Sequence, residues 1–407
     1  MPKPRGRHET RTWQHDPAAY APARFRRACR YDAFIPEPLT GFAPSLRAAT
    51  TGTVSEAERG LGHLGAGTAD ALGPLARLLL RTESIASSKV EGLQADVRDL
   101  ARGEARAETQ GKVNSTTAEI LANIDAMELA IDEAATVTTF TADQIIAIHR
   151  RLMTAAPNAR IAGVIRTGQN WIGGNDYNPC GADFVPPPPE HVPALLDDLC
   201  GAIMEESLPP LTQAALVHAQ FETVHPFDDG NGRTGRTLIH VVLRRRALTP
   251  AYVPPISVVF ARDRDAYIDG LTAYRSGDVD GWVERFAAAA RRAADLADAY
   301  LAAVDTLTRR WQAMLADAAN PRSDAAAWAI IDVLPAHPVI TAAVANAATG
   351  RAKAAIHAAV DQLAEAGVLI PLSGGRRNRS WEAVGLLDLI ADLEAGETPR
   401  PGSKPAA

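Results

Sequence analysis

No stretch of this chain is both long and apolar enough to cross a bilayer, and the opening residues Met1-Pro-Lys-Pro-Arg-Gly-Arg-His8 lack the apolar core of a signal peptide. A cytoplasmic protein without membrane contact is therefore expected. Cysteine is scarce: Cys29, Cys180 and Cys200 show no metal-ligand spacing, and an odd count argues against a disulfide framework, so all three are expected to be reduced and structural. Aromatic residues make up only 5% of the chain, and a net charge of −6 gives no general pull toward nucleic acid or lipid. What is present is 407 residues, 46% of them hydrophobic, which is enough for a large core in two or three modules. Heavy use of alanine suits closely packed helices.

Chemistry is concentrated in residues 225 to 236, His-Pro-Phe-Asp-Asp-Gly-Asn-Gly-Arg-Thr-Gly-Arg. Leu216, Phe221 and Val224 mark a helix that stops near His225, because the residue before a proline is pushed out of the helical region. After Gly232, Leu238, Ile239, Val242 and Leu243 fall on one face of a second helix that ends in Arg244, Arg245 and Arg246. The Gly-Asn-Gly turn thus delivers its contents to a helix N-terminus, where unpaired N–H groups and the dipole favour an anion. Arg233 and Arg236, three residues apart, suit two phosphates of a polyphosphate. Asp229 repels phosphate unless a metal intervenes, and Mg²⁺ with water and phosphate ligands fits that role. His225 titrates near neutrality and can take a proton from a hydroxyl. Phe227 reads as a buried anchor for the loop.

This stretch resembles the signature of Fic-domain proteins, His-x-Phe-x-(Asp/Glu)-Gly-Asn-Gly-Arg-x-x-Arg, at every fixed position. The resemblance implies a mainly α fold, transfer of AMP from ATP to a Ser, Thr or Tyr hydroxyl of a target protein, His225 as general base and Asp229 as Mg²⁺ ligand. Gly230, Asn231, Gly232, Arg233, Thr234, Gly235 and Arg236 are the implied ATP-binding residues. Ser87-Ser-Lys-Val-Glu91-Gly92 resembles the family's inhibitory motif, (Ser/Thr)-x-x-x-Glu-(Gly/Asn), in which Glu91 pairs with Arg236 and blocks the γ-phosphate. Gly163 to Gly174, followed by Pro186 to Pro189, resembles the family's β-hairpin flap, with Trp171, Ile172 and Gly173 near the nucleotide and a strand edge for an extended target segment. Trp171 also suits a core position. Tyr267 is either an adenine-side contact or a packed core residue.

Five segments are expected: an extended N-terminal arm over 1–45, a helical region with the inhibitory motif over 46–110, the catalytic core over 111–320, a winged helix-turn-helix module over 323–385 and a disordered tail over 397–407. The arm carries eight Lys and Arg against two Asp and Glu before Tyr31. The module balances five basic against five acidic residues, so DNA contact through its wing arginines is weakly supported and protein docking is at least as good a reading. Rival readings are AMP removal, transfer from another nucleotide donor, and a DNA-binding regulator whose core modifies itself. A homodimer is compatible with the sequence.

Overall fold

The computed structural model describes residues 5–18, 20–65, 69–108, 113–372 and 379–399. Strands β1 (Gly6–Trp13) and β2 (Cys29–Pro36) lead into α1 (Ala48–Gly65), α2 (Ala69–Val90), α3 (Val97–Glu108), α4 (Ser115–Leu129), α5 (Ala142–Leu152), α6 (Val192–Met204), α7 (Pro210–Val224), α8 (Asn231–Arg245), α9 (Ile256–Arg262), α10 (Arg264–Arg275) and α11 (Val279–Ala318). A C-terminal module follows: α12 (Ala326–Val333), β3 (Val339–Thr341), α13 (Ala342–Thr349), α14 (Lys353–Glu365), β4 (Leu369–Pro371), β5 (Ser380–Ala383) and α15 (Leu386–Glu394). Among the described residues no helix is long and apolar enough to cross a membrane.

The chain forms two compact units that interleave along the sequence. The first comprises Met1–Glu58, Asp125–Leu248 and Arg264–Ala288; the second comprises Arg59–Ile124, Thr249–Asp263 and Ala289–Ala407. In the first unit α7 is buried at every position from Leu211 to Val224. Its sequence explains this, since Glu222 is its one charged residue and a helix without a polar face must be enclosed. Its polar side chains are bonded accordingly: Gln213 Nε2 donates to the Ala202 carbonyl at 2.8 Å, and Gln220 Nε2 to the Glu37 carbonyl at 2.9 Å. Trp282 of α11 donates its indole N–H to the Ala215 carbonyl at 2.8 Å.

In the second unit α2 is buried from Leu78 to Ser88. Glu83, fully buried within it, accepts from both the backbone N–H (2.7 Å) and the hydroxyl (2.5 Å) of Ser257 at the start of α9. The C-terminal module runs helix, strand, helix, helix, strand, strand, and its three strands form one antiparallel sheet in the order β3-β5-β4. Thr341 caps α13 by accepting from Val344 N–H at 3.2 Å. Arg98 of α3 ties this module to the N-terminal helices through Asp388 at 2.7 Å and Glu382 at 3.5 Å. Arg376 and Arg377 of the expected wing lie outside the described residues, as does the tail from Arg400 onward. Arg379 stacks on Trp381, 4.9 Å from the ring centroid.

Three expectations need correction. Residues 6 to 36 are not a simple arm but an antiparallel hairpin, with Gly6 opposite Pro36 and Trp13 opposite Cys29. Its basic residues are partly engaged in ion pairs, Arg11 with both Glu9 and Glu190. The flap is not a regular hairpin: it holds one isolated antiparallel bridge, Ile172 to Phe184. Arg166 and Asn170 bond the neighbouring loop instead, Gln169 bonds the Pro186 carbonyl, and Pro186 to Pro189 have no N–H for a ladder. Finally, Cys29 and Cys180 form a disulfide across 151 residues, with Cα atoms 6.3 Å apart. Such a pairing depends on which loops meet in space, which spacing along a chain does not encode. Cys200 is left as a buried thiol, pushed up to about 12 by burial.

Thiol titration of the denatured, unreduced protein should therefore find one reactive group, and finding three would refute the pairing. Reduction should lower unfolding stability by about 2–4 kcal/mol.

Candidate active site

α7 stops at Val224, and His225 takes a left-handed conformation (φ 49°, ψ 62°) as its C-cap, donating its N–H to the Phe221 carbonyl at 2.8 Å. A non-glycine residue at positive φ is uncommon and is found where the surroundings enforce it. The enforcement here is a set of bonds to carbonyls. Arg166 donates Nε to the His225 carbonyl (2.8 Å) and Nη2 to those of Pro187 (2.6 Å) and Val224 (3.4 Å), while its backbone N–H reaches Pro226 (3.0 Å). Asn170 Nδ2 donates to the carbonyls of His225 (3.3 Å) and Phe227 (3.0 Å). Burial pushes the Arg166 guanidinium down to about 10, still charged at neutral pH.

Asn231 closes the loop on itself: its Oδ1 accepts from Phe227 N–H at 2.9 Å and its Nδ2 donates to the Phe227 carbonyl at 2.7 Å. Phe227 is fully buried and stacks on His149 with ring centroids 3.7 Å apart, which makes it the anchor its context implied. His149 fixes the other end of the loop. Its Nε2 donates to the Asp229 carbonyl at 2.9 Å and its Nδ1 accepts from Gly163 N–H at 2.9 Å, a pattern that only the neutral ring can make. Desolvation holds its pKa down to about 4 in keeping with that. Gly230 then caps α8 at φ 76°, and a Cβ there would lie 2.9 Å from Met153 Sδ and 3.2 Å from His149 Nε2. Conformation and space both demand glycine.

Because these carbonyls are held from the protein side, the groups the loop offers a ligand are the first amides of α8, which have no partner within the helix. The Asp229 carboxylate is 67% exposed and accepts from Gly230 N–H at 2.6 Å; His225 is 18% exposed at its side chain. Arg233 and Arg236 follow on α8, at 4% and 1% exposure, with Thr234 and Gly235 buried between them. The His225 imidazole, the Asp229 carboxylate and the first amides of α8 thereby lie on one short loop.

Residues 139–243 match the family model described as the Fic/DOC family, and residues 52–132 that of the Fic/DOC family N-terminal region. The chain carries a Fic domain. The chain is 34% identical over 167 residues to "Protein adenylyltransferase Fic" of Nematostella vectensis, covering 40% of this chain and 35% of that one. It is 33% identical over 144 residues to "Protein adenylyltransferase fic-1" of Caenorhabditis briggsae, covering 35% and 25%. This chain thus spans only a quarter to about a third of the length of those relatives. A crystal structure of a Fic family protein from Desulfovibrio desulfuricans superposes with a TM-score of 0.52 at 20% identity, over 84% of this chain and 99% of that one, which is a likeness of fold.

Around the Fic loop, the flap residues have structural partners. Trp171 Nε1 donates to the Asn175 carbonyl at 2.6 Å and meets Trp13 edge-on at 5.5 Å, Ile172 makes the bridge to Phe184, and Gly173 packs against Asp183. Tyr267 lies in the core at 7% exposure, its hydroxyl 2.9 Å from His218 Nε2. In the second unit, Ser87 is buried and Glu91 follows the last turn of α2. Leu93 N–H bonds the Ser88 carbonyl (3.1 Å) and Gly92 N–H, at φ 83°, that of Lys89 (3.0 Å), a Schellman stop with Glu91 as its C-cap. The Gly or Asn of the inhibitory pattern has this physical basis, since both tolerate the left-handed turn that ends the helix at the glutamate.

Sequence reasoning missed His149, Arg166 and Asn170. The signal for His149 was faint: it shares the buried face of α5 with Ile145, Ile148 and Leu152, an apolar stripe on which a histidine needs polar partners.

Stability of this unit should fall in acid. The folded-state pKa of His218 is depressed to about 3, mainly by burial, against an unfolded value of about 6.5. The folded form therefore holds fewer protons between those values, and the contribution is complete above pH 6.5 and is lost as pH falls toward 3. Thermal midpoints measured across that window should drop steeply for the natural protein and less steeply for His218→Gln.

Proposed function

We propose that this chain transfers AMP from ATP to a Ser, Thr or Tyr hydroxyl of a target protein, itself included, and that Glu91 restrains the reaction in cis. The observation that carries the reading is the C-cap geometry of His225, which sets an imidazole beside the amide-bearing start of α8 on one short loop. His225 takes the proton of the target hydroxyl, the oxygen bonds the α-phosphorus, and the bond to the β-phosphate oxygen breaks, with pyrophosphate leaving with the electron pair. Amides of the α8 N-terminus and the side chains of Arg233 and Arg236 hold the phosphates.

Asp229 is suited to Mg²⁺: its exposed carboxylate is braced by Gly230 N–H, and a single carboxylate with open sites fits an ion that keeps water and phosphate ligands. Such an ion neutralises phosphate charge when bound. Restraint by Glu91, acting on Arg236, is supported by the inhibitory pattern and by the fixed Schellman stop that ends α2 at Glu91. The element order and three-stranded sheet of the C-terminal module support a winged helix, and its balanced charge favours docking of a protein over anchoring to DNA.

Incubation with α-³²P-labelled ATP, Mg²⁺ and lysate tests the reading. Label should be weak for the natural chain, increase at least about tenfold for Glu91→Gly and disappear for Glu91→Gly/His225→Ala. Equal labelling of the single and double variants would rule out His225 as the base.

A further inference from the structure

One buried acid in the first unit is not used by the scheme above. Glu222, on the last turn of α7, is 5% exposed, and its Oε2 lies 4.0 Å from His225 Nδ1. Space has been made for it. A Cβ on Gly235 of the facing α8 would come within 2.5 Å of Glu222 Oε1, so the glycine in Arg-Thr-Gly-Arg admits the carboxylate. Arg275 of α10 holds the backbone behind it, donating Nη2 to the Glu222 carbonyl at 3.2 Å, with its guanidinium carbon 3.9 Å from the Phe184 ring centroid.

We propose that Glu222 is a positioning residue for His225. Its carboxylate faces Nδ1 and selects the tautomer that carries hydrogen there, which leaves the Nε2 lone pair for the target hydroxyl. When Nε2 receives that proton, the ring becomes imidazolium and the carboxylate stabilises it. The roles stay distinct, because Glu222 acts through His225 and is placed against neither nucleotide nor target. A buried carboxylate four ångströms from a ring nitrogen is a loose contact that charging of the ring tightens.

Other charged or titratable groups near the pair are His218 on α7, whose Nδ1 shares the space over Gly235, Arg275 and Tyr267 from α10, Arg166 at the His225 carbonyl, Arg236 beside His218, and Asp228 in the loop. Replacing Glu222 by glutamine removes its charge, leaves these groups in place and preserves shape.

The inference rests on His225 being the base, and two measurements keep its failure separate from failure of that reading. The first is the imidazole nitrogen NMR spectrum of the intact chain against pH, with the His225 signals assigned by comparison with His225→Ala. The proposal expects an Nδ1-protonated ring whose pKa falls on Glu222→Gln, and an unchanged tautomer and titration would overturn it whether or not the chain transfers AMP. In the second, Glu91→Gly/Glu222→Gln is compared with Glu91→Gly. A turnover loss of about tenfold or more is expected, with the KM for ATP unchanged and the acid limb of the rate profile moved to lower pH. Loss of turnover that follows a lowered thermal midpoint, with the acid limb unmoved, would reduce Glu222 to a packing residue. No label on Glu91→Gly itself would refute AMP transfer while leaving the NMR result to decide the pairing.

Discussion

The carbonyl groups of the turn between α7 and α8 must be satisfied from behind if its amides are to face a ligand, and much of the first unit is arranged around that requirement. Arg166, Asn170, Asn231 and His149 take the carbonyls of Val224, His225, Pro226, Phe227 and Asp229 among them. Without these bonds a left-handed His225 and a left-handed Gly230 within six residues would be an unsupported strain. The stacking of Phe227 on His149 belongs to the same arrangement.

Burial of polar groups is therefore a theme of this fold. His149 stays neutral because its surroundings penalise a charge, and that neutrality lets one nitrogen accept from Gly163 while the other donates to Asp229. Arg166 retains its charge because several carbonyls share it. In the second unit Glu83 is treated likewise, bonded twice by Ser257, so that α2 is held by polar as well as apolar contacts up to the helix stop at Glu91. The C-terminal module lies in that same unit, joined to α3 through Arg98.

Legibility of the sequence varied with the range of the interaction concerned. The stop of α7, the start of α8 and the anchor role of Phe227 were readable because proline, glycine and helical periodicity act over a few residues. The N-terminal hairpin was obscured because its arginines pair with Glu9 and with Glu190, the latter far along the chain. The flap resembled a hairpin in sequence, yet Arg166 and Asn170 bond the loop carbonyls, Gln169 bonds the Pro186 carbonyl, and a single bridge forms.

By itself the sequence determined which chemistry is possible, since a base, a carboxylate, a glycine turn and two arginines in twelve residues define a local site whatever surrounds them. Tertiary structure alone decided what holds that site in shape: the Cys29–Cys180 bridge, the neutral His149 clamp, the carbonyl-binding Arg166 and the approach of Glu222 to His225 over Gly235. Each of these depends on burial or on packing against a neighbouring element, and a linear string of residues does not specify such relations.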